Sequence, residues 1–486
     1  MINMKTLTRS RTKSFRTGVA LLLTTLMLMV AAATTAASAQ TYKDLHNFGN
    51  GNDGVAPLGT LTQARGGSLW GTTQEGGTND CTGSGSLGGV VFRITPSGRE
   101  IVFSNFSDAL GCDPYSGLTL GLGGALFGAA FYGGGSGSCG GGCGTIFKVS
   151  PRIFGSLTGL FSFFNSYSGP GGFPEAPPIL GTDGSFYGAT YAFGRGFPWE
   201  WLYKVTPSGS LSVLASIGSS APLLQGMDGN FYGTSNGGTS GDGLVFQMTP
   251  QGNLTTIFNF DGTHGASPNL GALIQDLDGN FYGATQAGGA YNDGVVFQLT
   301  PQGAITVLHN FGDPNYPHDG TSPYAGLVQA TDGNFYGVTS SGGTKGYGVI
   351  FQITPAGAYS LLYNFNGKHG ANPESTPMQH TNGKIYGLTA GGGTHGAGVV
   401  YSFDMGLGPF VSLVSTAGKV GSTAQILGQG FKGTTSVSFN GTAAKFTVVS
   451  DTFLKARVPA GATTGFVTVT TPGGQLTSNK QFQVEQ

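Results

Sequence analysis

From Leu273 to Phe311 the chain reads LIQDLDGNFYGATQAGGAYNDGVVFQLTPQGAITVLHNF, short apolar runs separated by polar turns. The runs are rich in Val, Ile, Phe, Tyr and Thr, and none keeps apolar residues at helical spacing, so each predicts a strand. We letter four of them: strand a from Leu270 to Gln275, b from Asn280 to Thr285, c from Gly294 to Leu299 and d from Ala304 to Phe311. The unit recurs. Aligned on an aromatic-glycine step, seven copies stand at Trp70-Gly71, Phe127-Gly128, Tyr187-Gly188, Tyr232-Gly233, Tyr282-Gly283, Tyr336-Gly337 and Tyr386-Gly387, spaced by 57, 60, 45, 50, 54 and 50 residues.

A period near fifty signals a propeller or a solenoid, and four strands per period is the count of a propeller blade. Turn chemistry adds to this. Between a and b the copies read Gly66-Gly67, Gly123-Gly124, Asp183-Gly184, Asp228-Gly229, Asp278-Gly279, Asp332-Gly333 and Asn382-Gly383. Gly, Asn and Asp reach φ > 0 cheaply, which predicts two-residue type I′ hairpins with both central residues in that region. Between c and d, Thr-Pro-x-Gly recurs at 95–98, 206–209, 249–252, 300–303 and 354–357; copy two drifts to Ser150-Pro151-Arg152 and copy seven loses the turn. Antiparallel strands place these two sets of turns on one face. The long, Gly-rich b-c and d-a connections then form a loop face, where recognition usually sits.

Copy seven runs from its strand c, Val399 to Phe403, into Asp404-Met405-Gly406-Leu407-Gly408 with no strand d. At the other end, Leu45-His46-Asn47-Phe48 matches Leu308-His309-Asn310-Phe311, the close of a strand d. A displaced strand at the start and a missing one at the end predict that the two pair and close a ring, removing two open sheet edges. From Pro409 the period stops, and alternating strands with turn signals about every ten residues predict a small β-sandwich, Asn440-Gly441 marking one hairpin. The expected fold is all-β: a seven-bladed β-propeller over 40–408, closed by an N-terminal strand, then a small β-sandwich over 409–486.

Residues 1–39 stand apart. Lys5, Arg9, Arg11, Lys13 and Arg16 precede an uncharged apolar run from Val19 to Ala33 and then Ala37-Ser38-Ala39, the pattern of a cleaved signal peptide. Losing five basic and no acidic residues takes the formal charge from −1 to −6, so nucleic acid is an unsuitable partner. No membrane span is expected after cleavage, and a monomer is expected. An exported chain may form disulfides; of the three pairings open to Cys81, Cys112, Cys139 and Cys143, Cys81 with Cys112 and Cys139 with Cys143 is favoured over a metal site, because no His lies near them in sequence. Gly 89 with 9% charged residues marks a turn-rich chain, and 38% hydrophobic residues supply a core.

The repeat LxxxxDGNFYGxTxxGGxxxxGxVFxxTPxG resembles the GloVer-type tandem repeats of bacterial exported proteins from Tyr42 to Phe403, strongly in copies four to six and more weakly elsewhere. That resemblance implies a surface or secreted protein. Members often end in differing C-terminal anchors, from which the closing Phe482-Gln483-Val484-Glu485-Gln486 departs. Pro409 to Val484 resembles an IPT/TIG domain on Gly428-Gln429-Gly430-Phe431, Ser438-Phe439-Asn440-Gly441 and Val458 to Gly465. This implies an immunoglobulin-like spacer or adhesion module; the DNA-binding relatives need basic loops, and Lys432, Lys445 and Lys455 are too few and scattered.

No G-x-S-x-G elbow, H-E-x-x-H helix or P-loop is present, and no cofactor is expected. Asp276-Leu277-Asp278-Gly279-Asn280 resembles the start of a calcium loop but lacks the closing Glu, so a hairpin is the better reading. His264, His318, His369 and His395 lie in loops without close partners and read as solvated. Loop-face carboxylates are Asp53, Glu75, Asp80, Asp113, Glu175, Glu200, Asp242, Asp261, Asp293, Asp313, Asp319 and Glu374. Any two at glycosidase separation would serve as acid and base, though on seven blades such a pair arises by chance. The b-c loop of copy three gathers Tyr191, Phe193, Arg195, Phe197, Trp199 and Glu200, suited to stacking on a sugar ring or anchoring a protein, or else to burial between blades. Two functions follow as expectations: a non-catalytic binding or adhesion scaffold for an extracellular glycan or protein, and a propeller glycoside hydrolase or lyase.

Overall fold

The computed structural model describes residues 40–81, 86–134, 142–164, 172–190, 201–217, 221–268 and 271–485, and Thr41–Gln486 forms one compact unit. The expected signal peptide, Cys139 and the loop from 191 to 200 lie outside the described residues. Among those described there is no helix, and so none long and apolar enough to cross a membrane.

Seven four-stranded antiparallel sheets follow the repeat. Copy five pairs Ile274–Gln275, Phe281–Thr285, Val295–Leu299 and Ile305–Asn310 in that order. Strand a is therefore shorter than the Leu270 to Gln275 expected. Gly271, ahead of the strand, lies against the neighbouring copy: a Cβ on it would lie 3.1 Å from Gly326 Cα. In the seventh sheet Thr41–Asn47 pairs antiparallel with Val399–Asp404, supplying the strand that copy seven lacks.

The aromatic-glycine step is a packing device. On strand c a ring lies over each of these glycines, so a Cβ on Gly283 would lie 2.7 Å from Phe297 Cζ; Phe92, Phe147, Tyr203, Phe246, Phe351 and Tyr401 stand the same way in the other copies. The Phe that ends strand d reaches the strand-c ring of the next sheet. Phe106 meets Phe147 at 5.0 Å, Phe260 meets Phe297 at 5.4 Å, Phe311 meets Phe351 at 5.2 Å and Phe365 meets Tyr401 at 5.6 Å. Phe48, beside the last sheet, makes that contact with Phe92 of the first, at 5.1 Å. Gln63 and Thr381 add two hydrogen bonds between the same two sheets, at 2.8 and 3.0 Å.

The a-b turns differ from the type I′ expected. Gly279 has φ +86° while Asp278 does not cross into the positive region, Gly279 N donates to Asp276 O, and Asp276 N to Asn280 O. That is a type I turn followed by a left-handed glycine. Asp at its third position is chosen for its carboxylate instead: Asp278 accepts from Asn280 N at 2.9 Å and Asn280 Nδ2 at 2.7 Å, and Gln298 Nε2 donates to the Tyr282 hydroxyl at 2.8 Å. Asp228 and Asp332 do likewise. By contrast Asn440 (φ +43°) and Gly441 (φ +85°) are both left-handed, as their two-residue hairpin requires.

After the repeats come a four-stranded and a five-stranded sheet that share one core, including Ile426, Leu454, Phe439 and Val469. This C-terminal unit sits on the turn face: Leu427 and Phe453 join the cluster of Trp70 and Phe103, Thr452 Oγ1 donates to Arg65 O at 2.7 Å, and Gln429 Nε2 to Thr381 Oγ1 at 2.8 Å.

Candidate functional site

Each d-a connection reaches strand a through a proline, and the corner before it is bent into the left-handed region at Ala56, Asp113, Ser267, Ser322 and Asn372. Prolines 57, 114, 174, 323 and 373 are followed by Leu58, Tyr115, Glu175, Tyr324 and Glu374, and all five of these line one cavity of about 170 Å³. Segments from six copies contribute to it. Thr60 and Ser116 add hydroxyls, and Gly326 N donates to Thr376 Oγ1 at 2.9 Å, tying copies six and seven together.

No Lys, Arg or His lines the cavity among the described residues. Burial holds the Glu374 carboxyl above the usual carboxylate range. The Tyr115 phenol is pushed up to about 12, first by burial and then by Asp113, Tyr132, Glu175 and Glu75. Burial, then Glu374 and Glu175, raises Tyr324 as well. Gln74 Nε2 donates to the Tyr115 hydroxyl at 2.9 Å. The result is an acidic, hydroxyl-rich hollow with many acceptors, suited to a polyol or a cationic group.

Three other loop-face carboxylates hold histidines. Asp53 takes His46 at 2.9 Å, Asp261 takes His264 at 2.9 Å and Asp319 takes His309 at 3.0 Å, while His369 turns to Asp44 at 2.8 Å. His264 and His369, expected to be solvated without close partners, thus each hold a carboxylate. Ligand atoms of Cys81, Asp108 and Cys112 lie within 4.8 Å of one another, but both sulfurs belong to the Cys81–Cys112 disulfide, which leaves no thiolate for a metal. Cys143 is disulfide-bonded as well. Tyr191, Phe193, Arg195, Phe197, Trp199 and Glu200 lie outside the described residues. Sequence reading named Glu175 and Glu374 among twelve carboxylates and passed over Tyr115 and Tyr324; the residue after the recurring proline was the available signal.

Comparison with family models gives a Gloeobacter/Verrucomicrobia repeat over residues 136–327 and 314–434, and an IPT/TIG domain over 409–484. The repeat match starts within copy two, in keeping with the weaker pattern ahead of it. Curated proteins give no match. Similar solved structures include PorZ, a surface component of the type-IX secretion system of Porphyromonas gingivalis, at 13% identity and TM-score 0.47, covering 90% of this chain and 60% of that one. A gluconolactonase of Xanthomonas campestris gives 12% identity and TM-score 0.38 over 68% of this chain and 93% of that one. At such scores neither carries an argument about function.

Proposed function

Since the chain belongs to the Gloeobacter/Verrucomicrobia repeat family and carries an IPT/TIG domain, we propose that it is an exported, non-catalytic binding or adhesion protein. In this reading the seven sheets are the blades of one propeller over 40–408 closed by Thr41–Asn47, and 409–486 is an immunoglobulin-like spacer held on the turn face. Residues 1–39 direct export, in keeping with the Cys81–Cys112 disulfide, which needs an oxidising setting. The carrying observation is the hollow that six copies build from carboxylates, phenols and hydroxyls, without a cation among the described residues. Such a surface offers acceptors to sugar hydroxyls, so an extracellular glycan is the favoured ligand over a protein, with the aromatic loop from Tyr191 to Glu200 as the stacking surface.

One observation favours a second reading. The Glu374 carboxyl, raised by burial, has the character of a general acid, and Glu175 lines the same cavity as a candidate partner, as a glycoside hydrolase needs. A glycan array on the mature chain, with product analysis of every hit, separates the two. Retention without turnover supports the binding protein. Released oligosaccharide overturns it in favour of the enzyme, and no retained glycan at all removes the glycan reading.

A further inference from the structure

The turn face carries a second, larger cleft of about 820 Å³ between the first three sheets and the C-terminal unit. Its lining includes Arg65, Arg93, Lys148, Arg152 and Lys455 and, among the described residues, not one carboxylate. This is unexpected in a chain that is acidic once residues 1–39 are gone. It follows from how the copies differ at two positions. In copies four to six the strand-c position holds Gln247, Gln298 and Gln352, which donate to the repeat tyrosine beside the turn aspartate. Copy three replaces this Gln by Lys204 and keeps Asp183, and the two form an ion pair at 2.7 Å. Copies one and two also replace it by a cation, Arg93 and Lys148, yet have Gly66 and Gly123 where the aspartate would stand.

Arg93 and Lys148 are thus left over the rings of Trp70 and Phe127, each at 5.9 Å, with no carboxylate in ion-pairing range among the described residues. Nor has Arg152 or Lys455 one. Arg65 is spent on the domain contact through Leu122 O, Gln425 and the Phe453 ring, and its affinity for a proton is lowered by burial and then by Arg152. Like charges gathered in a partly enclosed cleft repel one another, and an external anion relieves that repulsion.

We propose that this cleft binds an oligosaccharide bearing carboxylate or sulfate groups. Its volume falls within the roughly 300–1,000 Å³ of small-ligand clefts, too small for a nucleic-acid duplex. Arg93 and Lys148 occupy one position of consecutive sheets, so their charges recur with the blade, which suits the regular substitution of an acidic polysaccharide. Between the cations Leu122, Ile153 and Val449 leave apolar surface exposed for the CH faces of sugar rings. The site lies on the face opposite the hollow of Glu374 and does not depend on the reading given to that hollow.

Calorimetric titration of the mature chain at low salt tests this with an oligogalacturonate, a sulfated oligosaccharide, a neutral hexasaccharide, oligoglutamate and inorganic sulfate as separate probes. Binding is expected for one or both acidic saccharides and to weaken with salt. Arg93→Gln with Lys148→Gln is expected to lower affinity about tenfold or more, from the loss of two charge-assisted contacts. A second variant restores the missing partner: Gly66→Asp with Gly123→Asp, where a Cβ meets nothing within 4 Å, neutralises the cleft internally as Asp183 does for Lys204, and is expected to weaken binding similarly. The proposal is overturned by no acidic-saccharide binding, by binding that both double variants keep, or by oligoglutamate or sulfate binding as tightly as the saccharides.

Discussion

Replacing Gly283 with Ala tests the packing device that organises the repeat. The added Cβ would stand 2.7 Å from Phe297 Cζ and 3.0 Å from Leu273 Cδ2, against the ~3.5–4.0 Å of carbon atoms in comfortable contact. Phe297 cannot swing aside, because it is fully buried, its ring packed against that of Phe260 with centroids 5.4 Å apart. Forcing an extra carbon into such a core costs roughly 1–3 kcal/mol. Ala offsets about 0.5–1 kcal/mol of this by ordering the strand more cheaply than Gly. The net expectation is a loss of about 1–2 kcal/mol, read as a lower urea midpoint at unchanged slope. Phe297→Leu withdraws the ring tip, so in the double variant the second change should cost less than it does alone, a coupling readable by a double-mutant cycle. If Gly283→Ala is as stable as the parent, or the two changes add without coupling, the packing argument is wrong.

Three further outcomes are expected. The hydroxyls of Tyr203 and Tyr401 are buried without a hydrogen-bond partner among the described residues, at positions where five other copies carry Phe, so Tyr401→Phe should raise stability by about 1 kcal/mol, checked by the same urea titration. Glu100 is pushed up to about 7 by burial and then by Asp53. The folded state then binds more protons than the unfolded one, so its contribution falls as pH rises from 4.5 towards 7. Glu100→Gln should flatten melting temperature across that window and gain on the order of 1 kcal/mol above it, a figure reduced for the water reaching this half-buried carboxyl; an unchanged pH slope would count against it. Replacing Cys81 and Cys112 together by Ala frees a loop of 31 residues, with an expected loss of about 3–4 kcal/mol in the chain-entropy picture; intact stability in the double variant would assign the bridge no structural weight.

Much of the fold was legible because its rules are local. Tyr282-Gly283 recurs since a strand-c ring needs the room, and Thr41–Asn47 finds its partner because Leu45-His46-Asn47-Phe48 repeats a strand-d ending. Asn47 shows why that ending recurs: its Oδ1 accepts from Thr394 N at 2.9 Å, as Asn310 accepts from Ala290 N at 2.8 Å and Asn364 from Thr344 N at 2.9 Å. The a-b turn was misjudged because Asp-Gly suits two turn types, and what decides between them is where Asp278 sends its carboxylate. Strand a came out shorter, with Gly271 ahead of it lying against the next copy, a contact no single repeat records. The hollow was half legible: Glu175 and Glu374 were in view, but their burial depends on segments some two hundred residues apart meeting at one place. The basic cleft left a readable trace in the paired exchange of aspartate for Gly66 and Gly123 and of glutamine for Arg93 and Lys148.

The hollow exists only if copy one and copy seven are neighbours, so it depends on closure of the ring. Deleting Thr41 to Phe48 from the chain without residues 1–39 removes the fourth strand of the last sheet and the contact of Phe48 with Phe92, and exposes a full strand edge. Its thermal unfolding, followed by calorimetry, should lose both its sharpness and much of its midpoint temperature. A deletion variant that melts at the parent's temperature in one equally sharp transition would contradict a closed ring.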